Sequence, residues 1–267
     1  MSRLFTQQAD AIFLDRTGDY LTIAASASIH NLNKFTYAAW VYATGTPPVN
    51  FAPIAVKDPF AGYKNPLLLD NGFTPTVVMA FAAYITTTTP AAFETIAVNN
   101  TIVLNTWQRL LTTYDDTTDR TPHLYINGVE VTYQQTQPVT GTLFADDGGG
   151  LPPPDGSIYL GQDLSQEIFI GRIGEFKVWN VALSSAQAAA DFAGTPVLPG
   201  NNVVWLPLCG RQNPEPDKSG NNNTGMATGA PAAPDTPLGE CSFIAEENGF
   251  IPMSSITSKT KSTVFVG

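Results

Sequence analysis

The stretch FIGRIGEFKVWNVALSSAQ, Phe169 to Gln187, changes its period half-way along, and that change decides the fold. Phe176 and Val178 fall on one side of an extended chain and Glu175, Lys177 and Trp179 on the other, the two-residue alternation of a strand. Past Leu183 the continuation SSAQAAADFAGTP turns helical. Ser184 and Gln187 have capping-box spacing, Gly194 offers a stop and Pro196 blocks continuation. The pattern predicts a strand that passes directly into one short helix near 184–193.

Elsewhere the signals are for strands. Short β-branched or aromatic runs occur at Ile12 to Leu14, Tyr20 to Ile23, Phe35 to Ala43, Pro53 to Val56, Thr76 to Tyr84 and Ala92 to Val98. They continue at Trp107 to Tyr114, His123 to Ile126, Val129 to Tyr133, Ser157 to Leu160 and Phe176 to Asn180, each bounded by Gly, Pro, Asn or Asp. Many short strands at turn-rich spacing mean an all-β sandwich or barrel. In HLYINGVEVTY, Asn127 and Gly128 supply the two positive-φ residues of a type I′ hairpin turn. FTYAAWVYA is apolar on both alternating sets and reads as a central strand covered on both faces. ADDGGGLPPPDGS, from Ala145 to Ser157, reads as a surface loop, and the turn formers of Arg211 to Pro237 read as a long loop with one short strand in it.

Composition narrows the function. Among 267 residues, 43% are hydrophobic and only 13% charged, enough apolar matter for a large core under a surface of Thr, Asn, Gln, Ser, Gly and Pro. The net charge of -10, from 23 acids against 13 bases, argues against a surface that tracks nucleic-acid phosphates. No apolar run approaches the roughly 18 residues that span a bilayer, so membrane insertion is not expected. MSRLFTQQAD has no apolar core or cleavage site of a secretory signal, so export, if it occurs, is expected to proceed without one. Cys209 and Cys241 are either one bridge or two buried thiols.

Catalytic patterns are missing from the strands. The eight glutamates, Glu94, Glu130, Glu167, Glu175, Glu215, Glu240, Glu246 and Glu247, do not cluster on any strand candidate. A retaining glycosidase needs two carboxyl groups about 5 Å apart. His30 in a turn and His123 at the mouth of a hairpin strand accompany no nucleophile-elbow pattern and read as surface or rim residues. No enzyme is expected. Trp40, Trp107, Trp179 and Trp205 lie on apolar strands, where core packing is the commoner fate, which leaves Phe60, Tyr63 and Tyr84 as the freer aromatics for stacking on a sugar.

Several pieces taken in order resemble the concanavalin A-like lectin and glucanase superfamily, in particular its laminin-G-like and pentraxin-like members. They are DRTGDYLTIAAS, KFTYAAWVYA, NTWQRLLTTYDDTTDRTPHLYINGVEV, SIYLGQD and FIGRIGEFKVWNVALSSAQ, from Asp15 to Gln187. The resemblance implies a two-sheet antiparallel jelly-roll sandwich at 12–242, flanked by an N-terminal arm at 1–11 and an extended C-terminal arm at 243–267. It does not by itself imply sugar binding, because the fold hosts lectins, hydrolases and adhesion modules.

VVWLPLCGRQNPEPDKSGNNNTG resembles the opening of many laminin-G-like domains but here follows the body of the domain. It is either a C-terminal strand filling an N-terminal strand's place or the vestige of a second module. By resemblance to pentraxin-like proteins, Asp58 in AVKDPF and Gln162, Asp163 and Glu167 in YLGQDLSQE fall where oxygen ligands hold calcium. The alternative for all four is solvated loop side chains.

Two readings of function follow, with a glycan-active hydrolase using unusual carboxylates as a third and weaker one. One is a structural or decoration protein of a virion or other extracellular surface. It would act through contacts with other structural proteins, as a homo-oligomer, and through cell-surface glycans. Its motivation is the low-charge surface, the lack of catalytic constellations and the arm-like ends, with Ser254 to Val266 able to add a strand to a neighbour or to fold back on its own sandwich. The other is a calcium-dependent carbohydrate-binding adhesin.

Overall fold

In the computed structural model of the protein, residues 11–14, 18–47, 50–57, 64–72, 78–88, 92–147, 156–163, 167–208 and 213–229 are described. They form an all-β sandwich with one α-helix, as the residue patterns predict. The strands are β1 (Ile12–Leu14), β2 (Tyr20–Ile23), β3 (Lys34–Ala43), β4 (Phe51–Lys57), β5 (Lys64–Asp70), β6 (Ala80–Thr86), β7 (Ala92–Ala97) and β8 (Trp107–Asp115). They continue with β9 (His123–Ile126), β10 (Val129–Glu130), β11 (Tyr133–Gln135), β12 (Ile158–Leu160) and β13 (Gly171–Trp179). Helix α1 (Ser185–Phe192) then precedes β14 (Asn202–Leu206) and β15 (Gly225–Thr228).

One sheet has seven strands in the order β1-β13-β3-β8-β9-β10, with β14 also paired to β13, and the other has eight in the order β11-β7-β6-β5-β4-β12-β2-β15. Every pairing is antiparallel. The inner faces interdigitate: Phe35, Tyr37, Val41, Leu110, Tyr114, Phe176 and Val178 from one sheet meet Leu21, Ile23, Ile54, Leu67, Leu69, Phe81 and Ile85 from the other. Burying such side chains contributes about 1.5–3 kcal/mol each relative to exposure.

The opening motif folds as its period dictates. β13 carries Phe176 and Val178 into the core and Lys177 and Trp179 to the outer face, where Trp179 lies buried under α1. Ser184 caps α1: its hydroxyl accepts from the Gln187 N–H while the Gln187 side chain accepts from the Ser184 N–H. The helix ends at Gly194, φ +73. It packs over Ala38, Leu111, Tyr125, Trp179 and Leu183 on the outer face of the seven-stranded sheet. The central strand β3 is therefore covered on both faces.

Asn127 (φ 53) and Gly128 (φ 78) make the hairpin turn between β9 and β10, and a Cβ on Gly128 would come within 2.9 Å of the Ala189 Cα of α1. Glycine there meets both the positive φ and the close approach of the helix.

Three strands escape or exceed the sequence patterns, each for a physical reason. β5 contains Pro66, which cannot donate to a ladder, and its register with β6 shifts between Asn65 and Leu68 to accommodate it. β13 begins at Gly171, well before the alternation becomes visible, because it is paired with β3 throughout. The Val129 to Tyr133 run is divided: β10 pairs with β9 in one sheet and β11 with β7 in the other.

VVWLPLCGRQNPEPDKSGNNNTG belongs to the sandwich itself. β14 pairs with the second half of β13 along the edge whose first half pairs with β1, and β15 pairs with β2 in the opposite sheet. Asp217 ties the turn between them, accepting from the N–H groups of Trp205, Ser219 and Asn223. The stretch thus supplies an edge strand to each sheet. Of the arms, Ala11 is buried, while 1–10 and 243–267 lie outside the described residues, as do Cys209 and Cys241.

Candidate functional site

The described residues contain a concavity of about 280 Å³ on the outer side of the seven-stranded sheet, open to solvent. Three elements wall it: the turn after β8 (Asp115, Thr118, Asp119), the β9–β10 hairpin (His123, Tyr125, Glu130) and the entry to α1 (Ala182 to Ser185). Tyr125 and Leu183, both nearly inaccessible, form an apolar floor, while Asp119, Glu130, Ser184 and Ser185 stand exposed at the rim.

His123 is clamped at this rim. Its Nε2 lies 2.8 Å from Asp119 Oδ2 and its Nδ1 2.8 Å from Glu130 Oε1. With a carboxylate oxygen at each nitrogen, the surroundings favour the doubly protonated ring. Burial alone would lower the His123 pKa, but the hydrogen bonds to Glu130 and Asp119 prevail and raise it above its ordinary value. Conversely, burial would raise both carboxyls, but the bonds to His123 hold them below the usual range, with Tyr133 helping at Glu130 and the Thr121 N–H at Asp119. The Tyr133 hydroxyl donates to Glu130 Oε1 at 2.7 Å and accepts from the Leu124 N–H, which fixes the far side of the clamp. Asp115 accepts from both the N–H and the hydroxyl of Thr117 and pairs with Lys34 at 2.9 Å.

Beside this open site lies a buried counterpart. Arg109, on the outer face of β8 and 1% exposed, donates from Nε to Asp191 of α1 at 2.8 Å and from Nη1 to the Glu175 carbonyl at 2.9 Å. Lys177 reaches both Asp191 and Glu175. Burial pushes the Asp191 carboxyl up, but the charges of Arg109 and Lys177 outweigh that and leave it below its usual range. Arg109 and Lys177 thus tie Asp191 of α1 to the sheet beneath it, and Glu175, Lys177 and Trp179 of the opening motif belong to this packing.

The four residues expected to hold calcium are only partly brought together. Asp58 lies outside the described residues. Gln162 spends its Oε1 on the Gly18 N–H at 2.8 Å. Asp163 and Glu167 do meet: the Glu167 N–H donates to Asp163 Oδ1, and burial followed by the neighbouring Asp163 carboxylate pushes Glu167 up to about 7. A calcium ion takes six to eight oxygens, and this pair offers two carboxyl groups toward them. Among the described residues no group of three or more His, Cys, Asp or Glu side chains is arranged to hold a metal ion. Gly161 turns this loop at φ +87, and a Cβ there would collide with Leu14.

Core packing holds for Trp179, in the cluster under α1, and is corrected for Trp40, Trp107 and Trp205. All four project from the outer face of the seven-stranded sheet and not into the sandwich. Trp179 is buried under α1 and donates to the Val197 carbonyl, while Trp40, Trp107 and Trp205 are half-buried against Phe192, Tyr42 and Lys177. Strand β3 explains the error, since its second apolar set faces outward to meet the helix. Of the freer aromatics, Phe60 and Tyr63 lie outside the described residues, and Tyr84 packs half-buried beside Leu68 and Ile96 on the outer face of the eight-stranded sheet. Glu94, on the same face, is raised first by burial and then by Asp70.

The described residues form a sandwich with an open polar recess, and comparison with known families agrees with the sandwich fold. The chain belongs to the concanavalin A-like lectin/glucanases superfamily, whose laminin-G-type model matches residues 15–189, more than half of its length. A Bacteroides ovatus protein assigned to carbohydrate binding is similar in structure, with 16% identity, a TM-score of 0.57, and 82% of this chain and 59% of that one covered. This chain therefore spans about three fifths of that protein.

More distant resemblances include a heptameric pentraxin from Limulus polyphemus, with 14% identity, 68% and 81% covered and a TM-score of 0.39. Another is domain 4 of an extracellular arabinanase from Geobacillus stearothermophilus, in complex with arabinotriose, with 18% identity, 68% and 76% covered and a TM-score of 0.44. At these identities the likeness is one of fold. No curated protein matches the chain in sequence.

Proposed function

We propose that this chain is a non-enzymatic, lectin-like recognition module that works by contact with glycans and structural partners on a virion or other extracellular surface. The observation that carries the reading is the recess beside His123. An apolar floor of Tyr125 and Leu183 under a rim of carboxylates and hydroxyls matches the two-sided chemistry of a sugar ring, which presents C–H groups on a face and hydroxyls around its edge.

Binding without turnover fits the acids. Glu94, Glu130 and Glu175 lie on three different strands. Asp163 and Glu167 are in direct hydrogen-bond contact, closer than the roughly 5–5.5 Å of a retaining pair. Both nitrogens of His123 are already engaged, which leaves no free base there.

A glycan array tests the reading, and binding of at least one saccharide class is the expected result. Turnover of pooled β-glucans or alginates would replace it with a hydrolase. Mass spectrometry of purified particles tests the surface assembly, where absence of the chain would remove the virion role. The Asp163–Glu167 pair favours a second reading, calcium-dependent binding, in which a cation between the two carboxyl groups relieves the repulsion that raises Glu167. On that reading a chelator abolishes array binding and calcium raises the melting temperature.

A further inference from the structure

We propose that the recess beside His123 takes a neutral saccharide, whose hydroxyls donate to Asp119 and Glu130, and that it turns away acidic sugars. This rests on the reading of the chain as a carbohydrate-recognition module and names the ligand class of that site.

The charge count decides the class. Two carboxylates flank one imidazole, so the clamp is net negative whether the ring is neutral or protonated, and both ring nitrogens of His123 face those carboxylates. The other cations nearby are committed elsewhere: Lys34 pairs with Asp115, and Arg120 binds Asp116 and the Gly141 carbonyl. Among the described residues, no Lys or Arg side chain lines the recess to meet a uronate or sulfate.

Acceptors do remain. An ionised carboxylate offers about four lone-pair sites. Only part of that capacity is used by His123, Tyr133 and the Thr121 N–H. Sugar hydroxyls donating to these oxygens form charge-assisted bonds, roughly twice as strong as neutral ones. A metal ion is the poorer occupant, because the imidazole already fills the space between the two carboxylates.

The test is titration calorimetry together with NMR of the His123 ring, identified by its loss in His123→Gln, using neutral cello-, malto- and mannohexaose against an oligogalacturonate. We expect a neutral oligosaccharide to bind and to shift the His123 resonances. The acidic one should bind about tenfold or more weakly, as like-charge juxtaposition requires. Asp119→Asn with Glu130→Gln, checked for folding by circular dichroism, should weaken neutral binding about tenfold and abolish the discrimination.

Saccharide binding that leaves the His123 signals and the double variant unaffected would overturn this site while leaving the lectin-like reading intact. Acidic binding at least as tight, with His123 shifted, would overturn the ligand class alone. If no saccharide of either class binds here or on a glycan array, both the inference and the reading beneath it fail.

Discussion

Two basic side chains on the outer face of the same sheet are each held between two carboxylates, Arg109 by Asp191 and Glu175 and His123 by Asp119 and Glu130, yet the arrangements serve opposite ends. Arg109 is 1% exposed and reached only by groups that hold it in place. His123 is 39% exposed, and its carboxylates keep lone pairs facing water. Helix α1 separates them, its last turn closing over the first and its entry walling the second. The same charge pattern thus becomes a structural bolt where water is excluded and a binding rim where water, or a ligand in its place, can enter.

The comparison breaks most sharply at Asp191. Asp191→Ala leaves a buried guanidinium short of its main partner and is expected to cost about 3–5 kcal/mol in chemical denaturation, whereas Asp119→Ala should cost about 1 kcal/mol or less. Equal losses would mean that burial does not distinguish the two.

Next comes Gly128, where the His123 hairpin meets α1. Gly128→Ala puts a Cβ against Ala189 at a positive φ and should cost about 1–3 kcal/mol, read as a lowered melting temperature. Ser184→Ala removes the hydroxyl half of the capping box and should cost about 1 kcal/mol by the same measurement.

The smallest effect is that of pH on the clamp. His123 is raised, so its contribution is complete below about 6.5 and is lost as pH rises through its folded value. Asp119 and Glu130 are lowered, so theirs is present above about 4 and is lost as pH falls through their folded values. The melting-temperature advantage of the wild type over His123→Gln should therefore be greatest between those limits and shrink at alkaline pH. An advantage that grows with pH would show that the ring is held neutral.

Most of the fold was legible in the residues because short-range rules govern it. Alternation placed Phe176 and Val178 inward, the Ser184–Gln187 spacing started the helix, and Asn127-Gly128 made the hairpin. The tryptophans misled because a strand apolar on both sides does not say which side faces the sandwich and which the helix. β5 was hidden by Pro66, whose cost a local register shift absorbs. Of the calcium ligands expected by resemblance, Asp163 and Glu167 lie four residues apart in one loop and do meet, while Gln162 was captured by Gly18, far away in the chain.

By itself the sequence determined the class of fold and the position and ends of helix α1, since each depends on neighbours within a turn or a strand. Only the tertiary structure decided that Arg109 and Asp191, 82 residues apart, would be sealed together and that His123 would stand between Asp119 and Glu130 at an open recess. The reason is physical: the fate of a charge depends on the water left around it, and that is set by which distant segments pack over it.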